Sequence, residues 1–552
     1  MKRLFLLFFL CAAAFQLQAQ DVPINDNWNT SADVQVFPRL AKHSSGPAVI
    51  TWMDTRQGGE TYDIFMQFLG PKGAPVAGRM NRRVNDDTGD NFQAFPDAAI
   101  DRLGHAVIVW SDGRSSAATI MGQRYLANGD TLSENFTVSG DTSLISIMPS
   151  VAASDSCGFI VVWTAIYHRN SSGRDIHAQW YDSEGLPRGE NYCVNSDTAG
   201  HQSRPRIAMN SEGRFVITWI HTAEGSSHVY ARVFDRYGQS AGPEFRVSQT
   251  PLPEGTTVYP NVAMLQNGNF MVTWSRPGAA GHDNVYGRGF SAAGAAGGDE
   301  FQVNERTGNE EHKKPDISAS VNTSFYIAWQ SNLDGDTDIF YRPARLDGTM
   351  YMSAEQVTDG AQSQTDIAIA EDIYQNRLFA WSDFRNGHYD IYSRRLGAYW
   401  PNRAFAGNGF SGMIPMAWDH PFGHSASDSY TVYRRKRPDG VLEQVHTVDP
   451  SSRPAPSLML DWIDTDVENG STYDYYIEMD VAESVGERWQ LSAAPAAAGL
   501  RMEAGWSDTE PQLDGMIGAE EWNDARMVDI SGSQTPRPVT LFIKNSADKL
   551  YL

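Results

Sequence analysis

Cysteine is nearly missing from this chain. Of three in 552 residues, only Cys157 and Cys193 lie beyond the N-terminal apolar segment, so a disulfide-stapled scaffold is excluded. The repeat described below sets these two at the start of a second strand and in a fourth strand, two strands apart. At about 4.8 Å per strand they stand about 10 Å apart, too far for a disulfide, and both are read as buried free thiols. Basic residues are also scarce: 44 Lys and Arg face 67 Asp and Glu, a net charge of −23. That balance argues against nucleic acid and against anionic membrane surfaces, both of which attract basic patches. After the N-terminus no apolar run is long enough to span a bilayer. Also missing are a Gly-x-Ser-x-Gly elbow, a His-Glu-x-x-His zinc helix and a phosphate-binding glycine loop. His201, His221 and His228 show no ligand spacing. Paired carboxylates for glycoside cleavage are recognised by separation in space, so sequence spacing does not remove them.

The N-terminus has the pattern of a secretory signal. Lys2 and Arg3 precede the apolar run from Leu4 to Phe15, and Leu17-Gln18-Ala19 forms a small-residue cleavage site. Residues 1–19 are therefore read as a signal peptide. Phe8-Phe9-Leu10 before Cys11 is a poor lipoprotein box, which favours export over a lipid anchor.

The dominant feature of the mature chain is a repeat: a Pro, a short apolar strand, a turn, and a strand ending in Trp. The pairs are Pro38/Trp52, Pro96/Trp110, Pro149/Trp163, Pro205/Trp219, Pro260/Trp274, Pro315/Trp329 and Thr365/Trp381. Six pairs are 14 residues apart and the seventh 16. A third strand follows each Trp (Asp63-Ile64-Phe65, Asp175-Ile176-His177, Asp338-Ile339-Phe340, Asp390-Ile391-Tyr392) and then a fourth (Arg83 to Asn85, Tyr192 to Asn195, Phe301 to Asn304). Four strands in about 55 residues is the period of a propeller blade. The seventh repeat has no fourth strand, whereas Val22-Pro23-Ile24-Asn25 is an orphan copy of one. An all-β, seven-bladed β-propeller closed by the N-terminal strand, over residues 20–398, accounts for both ends and removes two exposed sheet edges. Gly213 to Gln249 and Gly268 to Asn304 resemble repeats of large secreted bacterial proteins. That resemblance implies the propeller but no single activity.

Residues 399–498 resemble a fibronectin type III domain, a β-sandwich, through Trp418, the strand Tyr430 to Arg434, and Asp464-Thr465 followed by Gly470 to Tyr475. The resemblance implies that Tyr473 is the corner tyrosine, its hydroxyl bonded to backbone. Within residues 499–552, Leu513 to Ile517 and Glu521 to Ala525 resemble the start of a family 9 carbohydrate-binding module. Val539 to Ile543 and Lys549 to Leu552 would be its next strands. About a third of such a module is present, so this C-terminal β-domain reads as partial.

Three groups of residues carry candidate chemistry. Trp-x-Asp-x-Arg occurs at Trp52/Asp54/Arg56, Trp110/Asp112/Arg114 and Trp381/Asp383/Arg385, where Asp either holds its loop or serves a binding site. Asp334, Asp336 and Asp338 alternate as calcium ligands do, making calcium the one cofactor suggested. The later bidentate Glu is absent, and Asp338 falls on a repeated position. The residues before each Pro face the central opening: Phe37, Phe95, Met148, Arg204, Tyr259 and Lys314, with Gln364 in the seventh repeat. Phe37, Phe95, Arg204, Tyr259 and Lys314 form a candidate ligand site, aromatic rings and cations being able to hold sugars or acidic groups. The alternative is that the rings wedge between blades. The sialidase turn Ser-x-Asp-x-Gly-x-Thr-Trp does not occur. The expectation is a secreted or cell-surface, non-catalytic protein that binds polysaccharide or an extracellular protein. A propeller-type polysaccharide hydrolase or lyase is one alternative, and a structural adhesin another.

Overall fold

The computed structural model describes residues 21–396 apart from short stretches between strands, and beyond them the strands between residues 404 and 551 with some flanking residues. The expected signal peptide lies outside the described residues, as do residues 513–517 and 521–525. The described residues form strands and turns without a helix, so the chain is all-β. Among the described residues no helix is long and apolar enough to cross a membrane. The chain divides into two compact units, Met1–Tyr399 and Trp400–Leu552.

In the first unit the chain runs through antiparallel four-stranded groups. The first is Gln35–Lys42, Ala48–Asp54, Asp63–Leu69 and Arg82–Arg83. The same order recurs from Gln93–Ile100, Leu144–Ser154, His201–Met209, Asn261–Met264 and His312–Ala319. A single parallel bridge, Arg174 to His201, joins two successive groups. The last group holds Gln364–Glu371, Arg377–Asp383 and Asp390–Leu396, and its fourth strand is Val22–Pro23 from the other end of the unit. There Val22 pairs with Ser393 and Pro23 with Tyr392. First strands pack on one another in succession, and Gln364–Glu371 packs on Gln35–Lys42.

Fourth strands are only two residues long, and hydrogen bonds just past them hold them in place. Each is followed by an aliphatic residue and a small polar one, and the polar side chain accepts the N–H of an aliphatic residue near the start of the third strand. Asn85 accepts from Ile64 at 2.9 Å, Ser139 from Ile120 at 2.8 Å, Asn195 from Ile176 at 2.8 Å and Ser248 from Val229 at 3.1 Å. Asn304 accepts from Val285 at 2.9 Å and Thr358 from Ile339 at 3.0 Å. Asn25 completes the set, accepting from Ile391 at 2.8 Å and donating to Asp390 at 2.8 Å. Asn85 and Asn195 donate likewise to Asp63 and Asp175, both at 2.7 Å. The Asp at or next to the start of these third strands is thus a buried acceptor inside its sheet, and such groups are strongly held when satisfied.

The second strands, such as Ala48–Asp54 and Ala106–Asp112, are buried on both faces, as expected of sheets covered on both sides. Their tryptophans are fully enclosed between neighbouring sheets. Trp110 packs with Val49, Ile64 and Met66 of the preceding group. Trp52 packs with Ile24, Leu378, Ala380 and Ile391, so the first sheet shares its core with the last.

Trp-x-Asp-x-Arg is a loop clasp in all three copies. The indole N–H of Trp52, Trp110 and Trp381 donates to Asp54, Asp112 and Asp383 at 2.8, 2.9 and 2.8 Å. The same carboxylates accept the backbone N–H of Arg56, Arg114 and Arg385 at 2.8, 2.9 and 2.9 Å, and the guanidinium folds back onto them. The four other indoles, of Trp163, Trp219, Trp274 and Trp329, find no hydrogen-bond partner among the described residues.

Two readings made from the sequence change. The seventh pair is Ile367/Trp381, not Thr365/Trp381, because the bulge that carries Pro elsewhere falls between Thr365 and Ala368; its spacing is then the same as in the other six. Cys157 and Cys193 are both free thiols, but only Cys157 is buried and Cys193 is exposed, because the two-residue fourth strand lies at the outer edge of its sheet.

In the second unit a three-stranded sheet (Ala404–Ala406, Ile414–Asp419, Met459–Asp464) accompanies a five-stranded one built on Ser429–Lys436 and Thr472–Asp480. Tyr473 and Tyr475 are buried; the Tyr473 hydroxyl accepts the Glu468 N–H at 3.0 Å, and the Tyr475 hydroxyl donates to Asp464 at 2.7 Å. Thr540–Asn545 and Leu550–Tyr551 pair antiparallel farther on.

Removing the Asn25 side chain leaves the Ile391 N–H and the Asp390 carboxylate short of a buried partner. Asn25→Ala is therefore expected to cost about 2 kcal/mol and to lower the melting temperature. Deleting residues 21–29 should lower it further, and an unchanged melting temperature for the deletion would show that this pairing holds nothing.

Candidate functional site

Five of the first strands are broken once by a bulge at the Pro. Register shifts fall between Val36 and Arg39, Ala94 and Asp97, Ile147 and Ser150, Ser203 and Arg206, and Lys313 and Asp316. The residue before the Pro takes a left-handed backbone conformation: φ is 56° at Phe37, 53° at Phe95, 56° at Met148 and Arg204, and 48° at Lys314. Asp366 does the same at 56°, with Ile367 in place of Pro. Such angles cost a non-glycine residue about 1–2 kcal/mol and re-aim its side chain. The strained amides are pinned from the preceding group. Met148 N–H donates to Ser111 at 3.0 Å, Arg204 N–H to Thr164 at 3.1 Å and Asp366 N–H to Gln330 at 3.2 Å.

These bulges converge. Phe37, Phe95, Met148, Arg204 and Tyr259 line one pocket, open to solvent, together with Arg39 and Arg206. Phe37 and Phe95 meet edge to face at 6.4 Å, and the Arg204 guanidinium lies 4.5 Å from the centre of the Tyr259 ring. Lys314 stands over the Phe37 ring at 5.3 Å and pairs with Asp366 at 2.5 Å. All five of the expected site residues, Phe37, Phe95, Arg204, Tyr259 and Lys314, therefore gather at this mouth. Gln364 does not: it is fully buried in its sheet, and Asp366 holds the position assigned to it.

A second layer comes from the residues just after the Pro, Arg39, Asp97, Ser150, Arg206, Asn261 and Asp316, of which Arg39 and Arg206 line the same pocket. Asp97 accepts the Val151 N–H at 3.0 Å. Asp316 accepts the Ile369 N–H at 2.8 Å and the Asn261 amide at 2.5 Å. Burial raises the pKa of the Asp316 carboxyl, against the opposing pull of Arg39, the backbone amides and Arg206. Burial lowers that of Arg206 to about 10, helped by Arg39 and Arg204 and opposed by Asp97 and Asp316. Sequence reading passed over this layer, although a polar residue just after each Pro, in an otherwise apolar strand, was the signal for it.

The calcium suggestion gains no geometry. Asp334 lies outside the described residues and Asp336 is exposed. Asp338 is turned into its sheet, accepting from the Thr358 hydroxyl at 3.1 Å as Asp63 accepts from Asn85. Among the described residues no group of three or more His, Cys, Asp or Glu is placed to hold a metal.

No family model matches the chain, and no curated protein does. Among solved structures it is similar to a protein of unknown function from Dyadobacter fermentans (10% identity, TM-score 0.39, 68% of this chain and 98% of that one). It is also similar to the alpha-L-arabinanase of Penicillium chrysogenum (13%, 0.38, 55% and 93%) and to the NanB sialidase of Streptococcus pneumoniae (9%, 0.39, 69% and 70%). These names correct the expectation of a non-catalytic binding protein: the neighbours with a stated activity are glycoside hydrolases, which accords with the hydrolase alternative. Likeness at this level transfers no residue roles, so the chemistry below rests on this chain's own side chains.

Lys314→Met removes the partner of Asp366, whose side chain is 8% exposed. The variant is expected to lose about 2 kcal/mol, read as a lower denaturation midpoint, while the double variant Lys314→Met/Asp366→Leu should recover most of it.

Proposed function

We propose that residues 20–398 form a seven-bladed β-propeller closed by its N-terminal strand, and that this propeller is an exported polysaccharide hydrolase acting at the mouth ringed by the bulges. Residues 399–498 are read as a fibronectin type III-like spacer and residues 499–552 as part of a carbohydrate-binding module. The observation that carries the catalytic reading is the meeting of two layers at one mouth. Aromatic rings able to lie against sugar faces share a pocket with Arg206, and two carboxyl groups, Asp97 and Asp316, lie within electrostatic reach of that arginine.

The chemistry follows from their surroundings. Phe37, Phe95 and Tyr259 would hold the pyranose or furanose faces, and Arg204 would hydrogen-bond a ring substituent. Burial favours the protonated form of Asp316, the state needed to deliver a proton to the departing glycosidic oxygen. Asp97 would supply the second carboxylate, to activate water or to attack the anomeric carbon. Because the Asp316 pKa is raised, the acid persists to higher pH than an exposed carboxyl and is lost as pH rises through that value. Turnover should therefore fall on the alkaline side.

A second reading has its own support. Asp97 and Asp316 each accept a backbone N–H from the next group of strands, which is also what an inter-blade tie in a purely structural adhesin would do.

Reducing-end release from a panel of polysaccharides that includes arabinan separates the two readings. Under the hydrolase reading, Asp316→Asn and Asp97→Asn each reduce turnover by about 100-fold or more with little change in melting temperature. Absence of product from every polysaccharide, with both variants destabilised, would favour the structural reading.

A further inference from the structure

The mouth presents three guanidiniums to one pocket. Arg39, Arg204 and Arg206 all line it. Among the described residues, none of the three guanidiniums has a hydrogen-bond or ion-pair partner within the protein. Arg204 is held only by stacking on Tyr259. Asp97 and Asp316 attract Arg206, and Asp316 attracts Arg39 as well, but neither carboxylate forms an ion pair with them among the described residues, and Asp366 pairs with Lys314. Elsewhere in the same unit Arg56, Arg114 and Arg385 pair with their aspartates. In a chain with a net charge of −23, acidic partners were plentiful, yet these three fork-shaped donors line a pocket beside aromatic rings without an ion pair. Like charges crowded in a walled pocket repel one another, and an anion placed among them relieves that repulsion while taking bidentate hydrogen bonds.

We propose that this mouth selects a carboxylated sugar, its carboxylate held by Arg39, Arg204 and Arg206 and its ring face by Phe37, Phe95 and Tyr259. The inference rests on the reading of the mouth as a saccharide site and adds the class of saccharide. A uronic acid and a nine-carbon keto-acid sugar share this chemistry. Neutral pentose chains lack it.

The test is calorimetric titration of the whole protein with digalacturonate, its dimethyl ester, sialyllactose and arabinobiose. Digalacturonate or sialyllactose is expected to bind at least about tenfold more tightly than the ester or arabinobiose, and which of the two binds identifies the sugar. Because the ester comparison changes only the ligand, it needs no variant to fold. Arg204→Gln, at the rim, and Arg206→Gln, with melting temperatures checked, should each abolish the preference. Equal or tighter binding of the ester or of arabinobiose, or a preference that survives in both variants, would overturn the proposal. Cleavage of arabinan without binding of either acidic sugar would leave the hydrolase reading standing and remove this one. Binding of an acidic sugar without cleavage of any glycan would do the reverse.

Discussion

Each sheet of the N-terminal unit is covered on both faces by its neighbours, and the tryptophan at the end of every second strand is the piece that makes this possible. A strand buried on both sides cannot alternate polar and apolar residues. That is why Phe215-Val216-Ile217 and its counterparts are continuous apolar runs. The cost of such burial is that polar groups entering the interface need partners. The clasp of Asp54, Asp112 and Asp383 on its own indole and on the arginine two residues later supplies them in three copies. Where the Asp is replaced, as by Ala165 or His221, the indole is buried without a partner.

What could be read from the sequence follows from the same constraint. A rule imposed on every sheet repeats, and repetition is visible: the Pro-to-Trp spacing, the third-strand Asp and the fourth-strand Asn each recur often enough to be recognised. The orphan copy at Ile24-Asn25 was legible for that reason, and its hydrogen bonds to Ile391 and Asp390 match those of its counterparts. Where the repeat lost its marker, reading failed. The seventh bulge carries Ile367 in place of Pro, so two residues were misplaced and Asp366 went unseen.

The mouth was legible in part. Five residues before the Pro were picked out because they vary on a fixed frame, and the structure brings them near one another. The second layer was not, because Arg39, Asp97, Arg206 and Asp316 take their character from one another across 58 to 277 residues of chain, and no local pattern in one strand conveys that they share a space. Nor did the sequence distinguish an aspartate that binds a ligand from one that holds a strand: Asp338, read as a calcium ligand, does what Asp63 and Asp390 do within their sheets.

The pairing of Val22 with Ser393 also bears on how the molecule comes into being. A ribosome delivers the first of these strands long before the second exists, and Asn25 waits through 366 residues for the amide it will accept. Until then the strand has no partner, and each finished sheet leaves one greasy flank open to whatever is near. Contacts that span such a sequence distance form slowly and leave intermediates prone to association. An early segment that must stay extended until late is therefore a timing device: the unit can mature only after nearly all of its chain has been delivered.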